Sequence, residues 1–335
     1  MRVAVLYNAP TLSADHPDAA SEADVQEVAR DVASALEREG FATELVPAVS
    51  PVSELARRLE SSFFDVVFNL IEGFDGRSAG EPWITGLIEM IGLPYTGCPP
   101  EAQGLCRSKA RTKTLLLGAG LPTAAFATLG RNAFHDPTAL AFPLLLKPES
   151  EDASLGISQA SVVETSEALA RQVAWLTKRY DSDVLIEAYL PGREFNVGVL
   201  DLDRPCALAL AEVAYDRSAP GLPILTYDAK WAIGSAADLA SPIVCPVSVD
   251  PNLAETLATL AKRAFSATGC RDYARVDFRL DSSGNPMILE VNPNPDIGPT
   301  AGWARGLRAL GLDYDQTLAS LVRKAASRKT SNARR

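Results

Sequence analysis

The sequence predicts an α/β protein, with a doubly wound parallel sheet in its first third and mixed α+β structure in the rest. Three observations carry this. Short apolar strands and amphipathic helices alternate over the first ninety residues. The rhythm changes near Ser108. A length of 335 residues exceeds one ordinary core and implies two or three domains.

The first third reads as βαβαβ. Val3–Tyr7 is a short apolar strand. Val25, Val28, Ala29, Val32 and Leu36 recur at helical spacing between Ser21 and Gly40. Thr43–Val46 is a second strand, Ser53–Ser61 a helix and Asp65–Leu70 a third strand. Trp83–Ile91 is helical, and Gly92-Leu93-Pro94 ends it. Such alternation builds a parallel sheet covered on both faces, with ligands beyond the carboxyl ends of its strands. Asn8-Ala9-Pro10 and Ile71-Glu72-Gly73 fall at those ends.

Past Ser108 the expected elements are a helix at Lys109–Leu117, a strand at Pro143–Lys147, a small-residue loop at Glu149–Ser158, a helix at Ser166–Tyr180 and a strand at Val184–Glu187. Strands follow at Glu194–Leu200, Ala207–Val213, Tyr273–Leu280 and Met287–Asn292, with a helix at Leu253–Thr268. The basic tail after Val322 reads as frayed.

Composition narrows the chemistry. A net charge of -10 argues against a nucleic-acid partner held by bulk electrostatics. No stretch reaches the length of a membrane span, and Met1–Tyr7 has no export-signal pattern. Five dispersed cysteines without a CxxC pair read as reduced thiols of a cytoplasmic protein. With only two histidines, His16 and His135, both in turn-like segments, chemistry must rest on Lys, Arg, Asp and Glu.

The segment Tyr273–Asn292 is the most informative. Both of its strands alternate, and Asp281–Pro286 between them is a turn by composition. A symmetric hairpin puts Asp277 opposite Glu290 and Arg275 opposite Asn292, all on one face, with Leu289 and Val291 on the other. Facing carboxylates repel, so a cation belongs between them. Two carboxylates and an amide oxygen suit Mg²⁺; the alternative is neutralisation by Arg275 and Arg279. Lys147, ending an apolar strand, either meets an anion or snorkels to the surface.

Tyr-Ala-Arg-Val-Asp-Phe-Arg (273–279) followed by Ile-Leu-Glu-Val-Asn-Pro-Asn-Pro (288–295) resembles the ATP-grasp superfamily, and most closely its D-alanine–D-alanine ligase family. Matching pieces occur in order: Gly92–Gly97, Ser108–Lys113, Phe142–Pro148, Val184–Glu187 with Gly192–Phe195, and Tyr227–Lys230. The resemblance runs from about residue 1 to residue 322 and implies an N-terminal α/β domain (1–106), a lid subdomain (107–183), a catalytic subdomain (184–325) and a basic tail (326–335).

The resemblance also implies roles. ATP is the nucleotide, with two Mg²⁺ ions, or Mn²⁺, on Asp277, Glu290 and Asn292. Lys109, Lys147 and Lys230 meet the phosphates, and Ser154 and Gly156 cover them. Glu187, Ala188, Tyr189 and Leu190 edge the adenine, and Glu194 takes the ribose. Arg275 steadies the oxyanion. The partners are a small-molecule carboxylate and an amine, joined through an acyl-phosphate, in a homodimer formed through the first domain.

The amino-acid half departs from the family pattern. Tyr7–Pro10 replaces a glycine-rich loop, Glu72-Gly73 a His-Gly, Ala153 and Trp231 a serine and a tyrosine, and Asn294–Pro299 a Ser-Pro-Gly run. Glu22 is the acid matching the family's reader of the first amino group, or else an N-terminal acid on its helix. Glu72 and Asp296 add negative charge where an acceptor carboxylate would sit, which implies an acceptor other than D-alanine. The competing readings are an authentic cell-wall D-alanine–D-alanine ligase, a non-catalytic ATP-binding protein and an ATP-grasp kinase.

Overall fold

The computed structural model describes residues 1–9, 11, 19–130, 139–151, 154–180 and 182–328, without the side chains of residues 19–23. His16 and His135 lie outside them.

The first unit is the expected parallel sheet. Strands β1 (Arg2–Asn8), β2 (Ala42–Ala48) and β3 (Val66–Leu70) run in the order β2-β1-β3. Alternation along β1 splits its side chains between two layers. Val3, Val5 and Tyr7 pack under α1 (Ala19–Arg38) through Val25, Ala29, Val32 and Leu36. Ala4 and Leu6 face α2 (Val52–Ser61) and α3 (Glu81–Ile91) through Leu55, Leu59, Ile84 and Ile88. Gly92, at φ 83°, ends α3 in the left-handed conformation that glycine adopts without a Cβ clash.

The connection to the next unit holds a helix that the sequence reading passed over, α4 (Pro100–Arg107). Its Pro99-Pro100 start looks like a break, yet a proline is tolerated in the first helical turn, where its missing N–H would have no partner. Helix α5 (Lys109–Gly118) follows at once, with Ser108 as its N-cap.

Two antiparallel sheets form the remainder. The smaller has the order β4-β7-β5-β6, built from β4 (Phe126–Leu129), β5 (Leu144–Pro148), β6 (Val162–Val163) and β7 (Val184–Ala188). Helix α6 (Ser166–Arg179) covers it through Leu176. The larger has the order β11-β10-β8-β12-β13, with β8 (Glu194–Asp201), β10 (Ala211–Val213), β11 (Ile243–Val244), β12 (Tyr273–Leu280) and β13 (Pro286–Asn292). Helix α9 (Pro251–Ala267) packs on it through Leu257, Ala261, Ala264 and Phe265.

Three expectations need correction. The strand anticipated at Ala207–Val213 is broken into β9 (Pro205–Ala207) and β10, because Val199 pairs with Ala207 while Asn196 pairs with Ala211, a one-residue slip. The hairpin pairs Arg275 with Asn292 and Asp277 with Glu290 as expected, but a bulge then shifts the register so that Phe278 pairs with Ile288. Ile288 therefore joins Val291 in the core, and Leu289 turns to the side of Glu290. The chain after Val322 is not frayed at once. Helix α11 (Tyr314–Ser327) continues, Lys324 and Arg328 are ion-paired, and its Leu318, Leu321, Val322 and Ala325 close the α1 face of the parallel sheet.

Among the described residues no helix is long and apolar enough to cross a membrane. Cys98, Cys106 and Cys270 are free thiols; Cys98 donates to the Arg271 carbonyl at 3.4 Å and Cys270 accepts from the Thr268 hydroxyl at 3.3 Å.

Candidate active site

Two cavities meet in the cleft. The first, of about 380 Å³, lies between the two antiparallel sheets. Its walls carry Lys147 from β5, Glu187 and Ala188 from β7, and Arg275, Asp277 and Arg279 from β12; Glu290 and Asn292 come from β13. Tyr189, Leu190, Glu194 and Ser154 complete most of the expected set. The second cavity, of about 430 Å³, lies at the carboxyl ends of β1 and β3 and includes Asn8, Glu72, Gly73, Asn294 and Asp296. Lys230, Arg275 and Asn292 line both.

Strand alternation explains how β12 serves core and cavity together. Val276, Phe278 and Leu280 are buried against α9, so Arg275, Asp277 and Arg279 point into the cleft. Arg275 grips Asp277 with two hydrogen bonds of 2.7 Å, and Asn196 donates to Asp277 at 2.8 Å. Arg279 does not turn to Glu290. It pairs with Glu194 at 3.2 Å and stacks between the rings of Tyr189 and Tyr215. Burial raises the Glu194 carboxyl, although Arg279 and a 2.7 Å bond from the Tyr215 hydroxyl oppose it.

Glu290 is left facing cations. Burial would raise its carboxyl, but Lys109, Lys147, Arg275 and Lys230 together hold it low. Asp277, Glu290 and Asn292 offer only oxygen donors at this point; the Asn292 side-chain oxygen also accepts from the Asn294 amide at 2.9 Å. That donor set fits a hard divalent cation. Among the described residues no three His, Cys, Asp or Glu side chains form a metal-binding group, and the third oxygen here is an amide.

The buried lysines are fixed by partners that the sequence did not reveal. Glu187 faces two of them, Lys147 at 2.7 Å and Lys113 at 2.5 Å. Burial raises the Glu187 carboxyl, yet the two ammonium groups outweigh it and bring it to about 2. Lys109 donates to the Glu151 carbonyl, and Glu149 ties β5 to the start of α5 by accepting from the Ser108 hydroxyl at 2.6 Å and the Ala110 amide at 3.1 Å. Lys230 sits on the short helix α7 (Tyr227–Trp231), open to the cavity space yet deep in the cleft. That depth and the Arg275 guanidinium lower its ammonium against the pull of Glu72, Glu290 and Asp277.

Not every expected residue reaches the cavities. Gly156 lines neither. It has φ 75°, and a Cβ there would meet Tyr180 at 2.8 Å and Pro148 at 2.9 Å, so it shapes the loop. Lys109 lines neither cavity. The Glu22 side chain and Ala153 lie outside the described residues, whereas Asp24, which the sequence reading overlooked, lines the second cavity. Gly73 is required where it stands, because a Cβ would come within 2.9 Å of the Arg77 carbonyl oxygen.

Comparison with known proteins agrees with this architecture. The family model described as D-ala D-ala ligase C-terminus matches residues 115–323. An uncharacterised protein of Sinorhizobium fredii is 33% identical over 80% of this chain and 76% of its own length. A D-alanine–D-alanine ligase of Haemophilus influenzae is 32% identical over 82% of this chain and 88% of its own. The crystal structure of D-alanine–D-alanine ligase from Bacillus anthracis complexed with ATP superposes with a TM-score of 0.76 over 97% of both chains at 19% identity, a likeness of fold. The chain therefore belongs to the D-alanine–D-alanine ligase family of the ATP-grasp superfamily and is an ATP-using, ADP-forming ligase.

Proposed function

We propose that this ligase activates a small carboxylate as its acyl-phosphate and transfers the acyl group to an amine other than D-alanine. The observation that carries the reading is the meeting of the two cavities at Lys230, Arg275 and Asn292. One cavity carries Lys147, Lys230 and Arg275 for a polyphosphate. The other is lined by Asp24, Glu72, Glu81, Glu151 and Asp296 together with Arg77, Arg107, Lys230 and Arg275, with Asp24, Glu72 and Asp296 gathered in one recess without a cation in its lining.

In the first cavity, Glu187–Leu190 edge the adenine through backbone groups and Glu194 accepts from the ribose. Lys147 and Lys230 line the cavity and draw in the phosphates, Lys109 adds its charge from outside the lining, and Ser154 borders the same cavity. Asp277, Glu290 and Asn292 would hold Mg²⁺, as two ions, or Mn²⁺, which supplies charge neutralisation for the phosphate oxygens. The substrate carboxylate attacks the γ-phosphorus and ADP leaves. The amine then attacks the acyl carbon, and phosphate departs. Arg275, at the junction of the cavities, faces the oxygen on which negative charge develops in that second step.

In the second cavity, Asp24, Glu72 and Asp296 surround the acceptor end. Carboxylates there repel an acceptor's own carboxylate and favour a cationic or uncharged amine. Asp24 is the acid available to read an amino group, beside Gly73 and Asn294. A second reading, D-alanine–D-alanine ligation, is favoured by the name of the Haemophilus influenzae relative.

The deciding experiment is ADP release by the purified protein with Mg-ATP, first with D-alanine alone and then with carboxylate–amine pairs. Release that requires a non-acidic amine supports the changed acceptor. Robust formation of D-alanyl-D-alanine overturns it in favour of the second reading.

A further inference from the structure

Lys113 stands one turn after Lys109 on α5, and its side chain is only 1% exposed. It lines neither cavity. Its ammonium lies 2.5 Å from Glu187 Oε1 and 2.7 Å from the Thr123 hydroxyl, which in turn donates to the Ile288 carbonyl at 2.7 Å. The other oxygen of the same carboxylate, Oε2, lies 2.7 Å from the Lys147 ammonium. Lys147 and Glu187 both line the nucleotide cavity.

One carboxylate thus lies between two buried ammonium groups. Alone, Glu187 and Lys147 would make a neutral pair with little attraction for a polyphosphate. Lys113, approaching from the core side, changes the sum to one net positive charge, and the remaining charge is the one that the cavity sees. Burying a lysine solely to fill space is costly, since an apolar side chain of similar volume would avoid the desolvation. Burial and the neighbouring Lys147 do lower the Lys113 ammonium, against the pull of Glu187.

We propose that Lys113 is a positioning residue that neutralises Glu187 from behind, so that Lys147 is held towards the nucleotide cavity with its charge available to the phosphates. The proposal rests on the reading that Lys147 meets the phosphates. It adds a residue outside the cavity that sets the affinity for the polyphosphate part of the nucleotide and leaves the nucleoside part untouched.

The test compares ATP with adenosine by calorimetric titration of the intact protein. Lys113→Met is expected to weaken ATP on the order of tenfold or more while adenosine changes less than about twofold. Lys113→Met/Glu187→Gln, which removes both members of the inner pair and restores one net positive charge, is expected to recover most of the lost ATP affinity. Equal weakening of ATP and adenosine by Lys113→Met, or a double variant no better than the single one, overturns the proposal and leaves Lys113 a structural ion-pair member. Lys147→Met serves as the reference. If it fails to weaken ATP relative to adenosine, the placement of the phosphates at Lys147 falls, and the proposal with it. If Lys147→Met weakens ATP selectively and Lys113→Met does not, only the proposal falls.

Discussion

Arg275 and Asp277, two residues apart on one strand, are joined by two parallel hydrogen bonds of 2.7 Å between guanidinium and carboxylate. The pairing divides the labour of the two facing acids. Asp277 is charge-compensated from within its own strand, while Glu290 across the hairpin faces Lys109, Lys147 and Lys230 as well as Arg275. Around this hairpin Lys109, Lys113, Lys147, Lys230 and Arg275 outnumber Glu187, Asp277 and Glu290, as a site for a polyanion needs.

This geometry predicts the outcome of Arg275→Lys. A lysine keeps the charge but cannot make the two-pronged contact, and it cannot hold a planar donor pair at the junction of the cavities. The expected loss in kcat is on the order of 10²-fold, the scale for removal of a preorganised oxyanion donor, with a much smaller change in KM for ATP. Steady-state kinetics of ADP release decides it. A kcat within threefold of the parent removes Arg275 from the transfer step.

A second expectation concerns acid stability. Glu187 has its folded pKa depressed from an ordinary 4.5 to about 2. A depressed carboxyl contributes stability that is complete above its unfolded pKa and is lost as pH falls towards the folded one. The window is therefore between roughly pH 4.5 and pH 2, and the contribution is at most ~3 kcal/mol. Glu187→Gln, which leaves two buried ammonium groups uncompensated, is expected to be destabilised by a constant margin from pH 7 to pH 5, and that margin should shrink below pH 4.5. Urea midpoints across the range measure it; a margin that persists unchanged to pH 3 contradicts the assignment.

Much of this site was legible in the sequence because it obeys simple periodicities. The period of two along Tyr273–Leu280 put Arg275 and Asp277 on one face, and a symmetric turn placed Glu290 and Asn292 opposite them. The bulge beyond Asp277 was not legible, since Leu289 and Ile288 are both apolar and either one satisfies an alternating pattern. Lys113 was hidden for a different reason. A lysine four residues after Lys109 ordinarily marks the solvent face of a helix, and only the tertiary approach of Glu187 and Thr123 buries it. Glu149 and Asn196 are positioning partners whose roles depend on long-range pairing, to which local sequence is blind. The end of the chain misled because Arg and Lys near a terminus resemble a solvated tail, whereas Lys324 meets Asp201 and the acid that Arg328 meets lies more than fifty residues upstream.

That acid is Asp272, and it gives the last prediction. Its side chain is fully buried and its backbone has φ 65°, a conformation uncommon for a residue with a Cβ. The carboxylate accepts from the Gly97 amide at 2.8 Å, at the end of the first unit, and from both terminal nitrogens of Arg328 at 2.8 and 2.7 Å. Arg328 also donates to the Tyr95 carbonyl at 2.8 Å, so one guanidinium joins the C-terminal helix to the first unit and to the start of β12. Removing Arg328 leaves a buried carboxylate with part of its compensation gone, because Lys324 approaches only to 3.7 Å. Arg328→Ala is expected to lower stability by about 2–3 kcal/mol, below the full cost of breaking a buried pair because the guanidinium is 25% exposed. Arg328→Ala/Asp272→Asn should recover part of that loss, since the amide needs no counter-charge. Thermal unfolding of the two variants and the parent tests both statements. An Arg328→Ala variant as stable as the parent would return the last turn of α11 to the frayed tail that the sequence suggested.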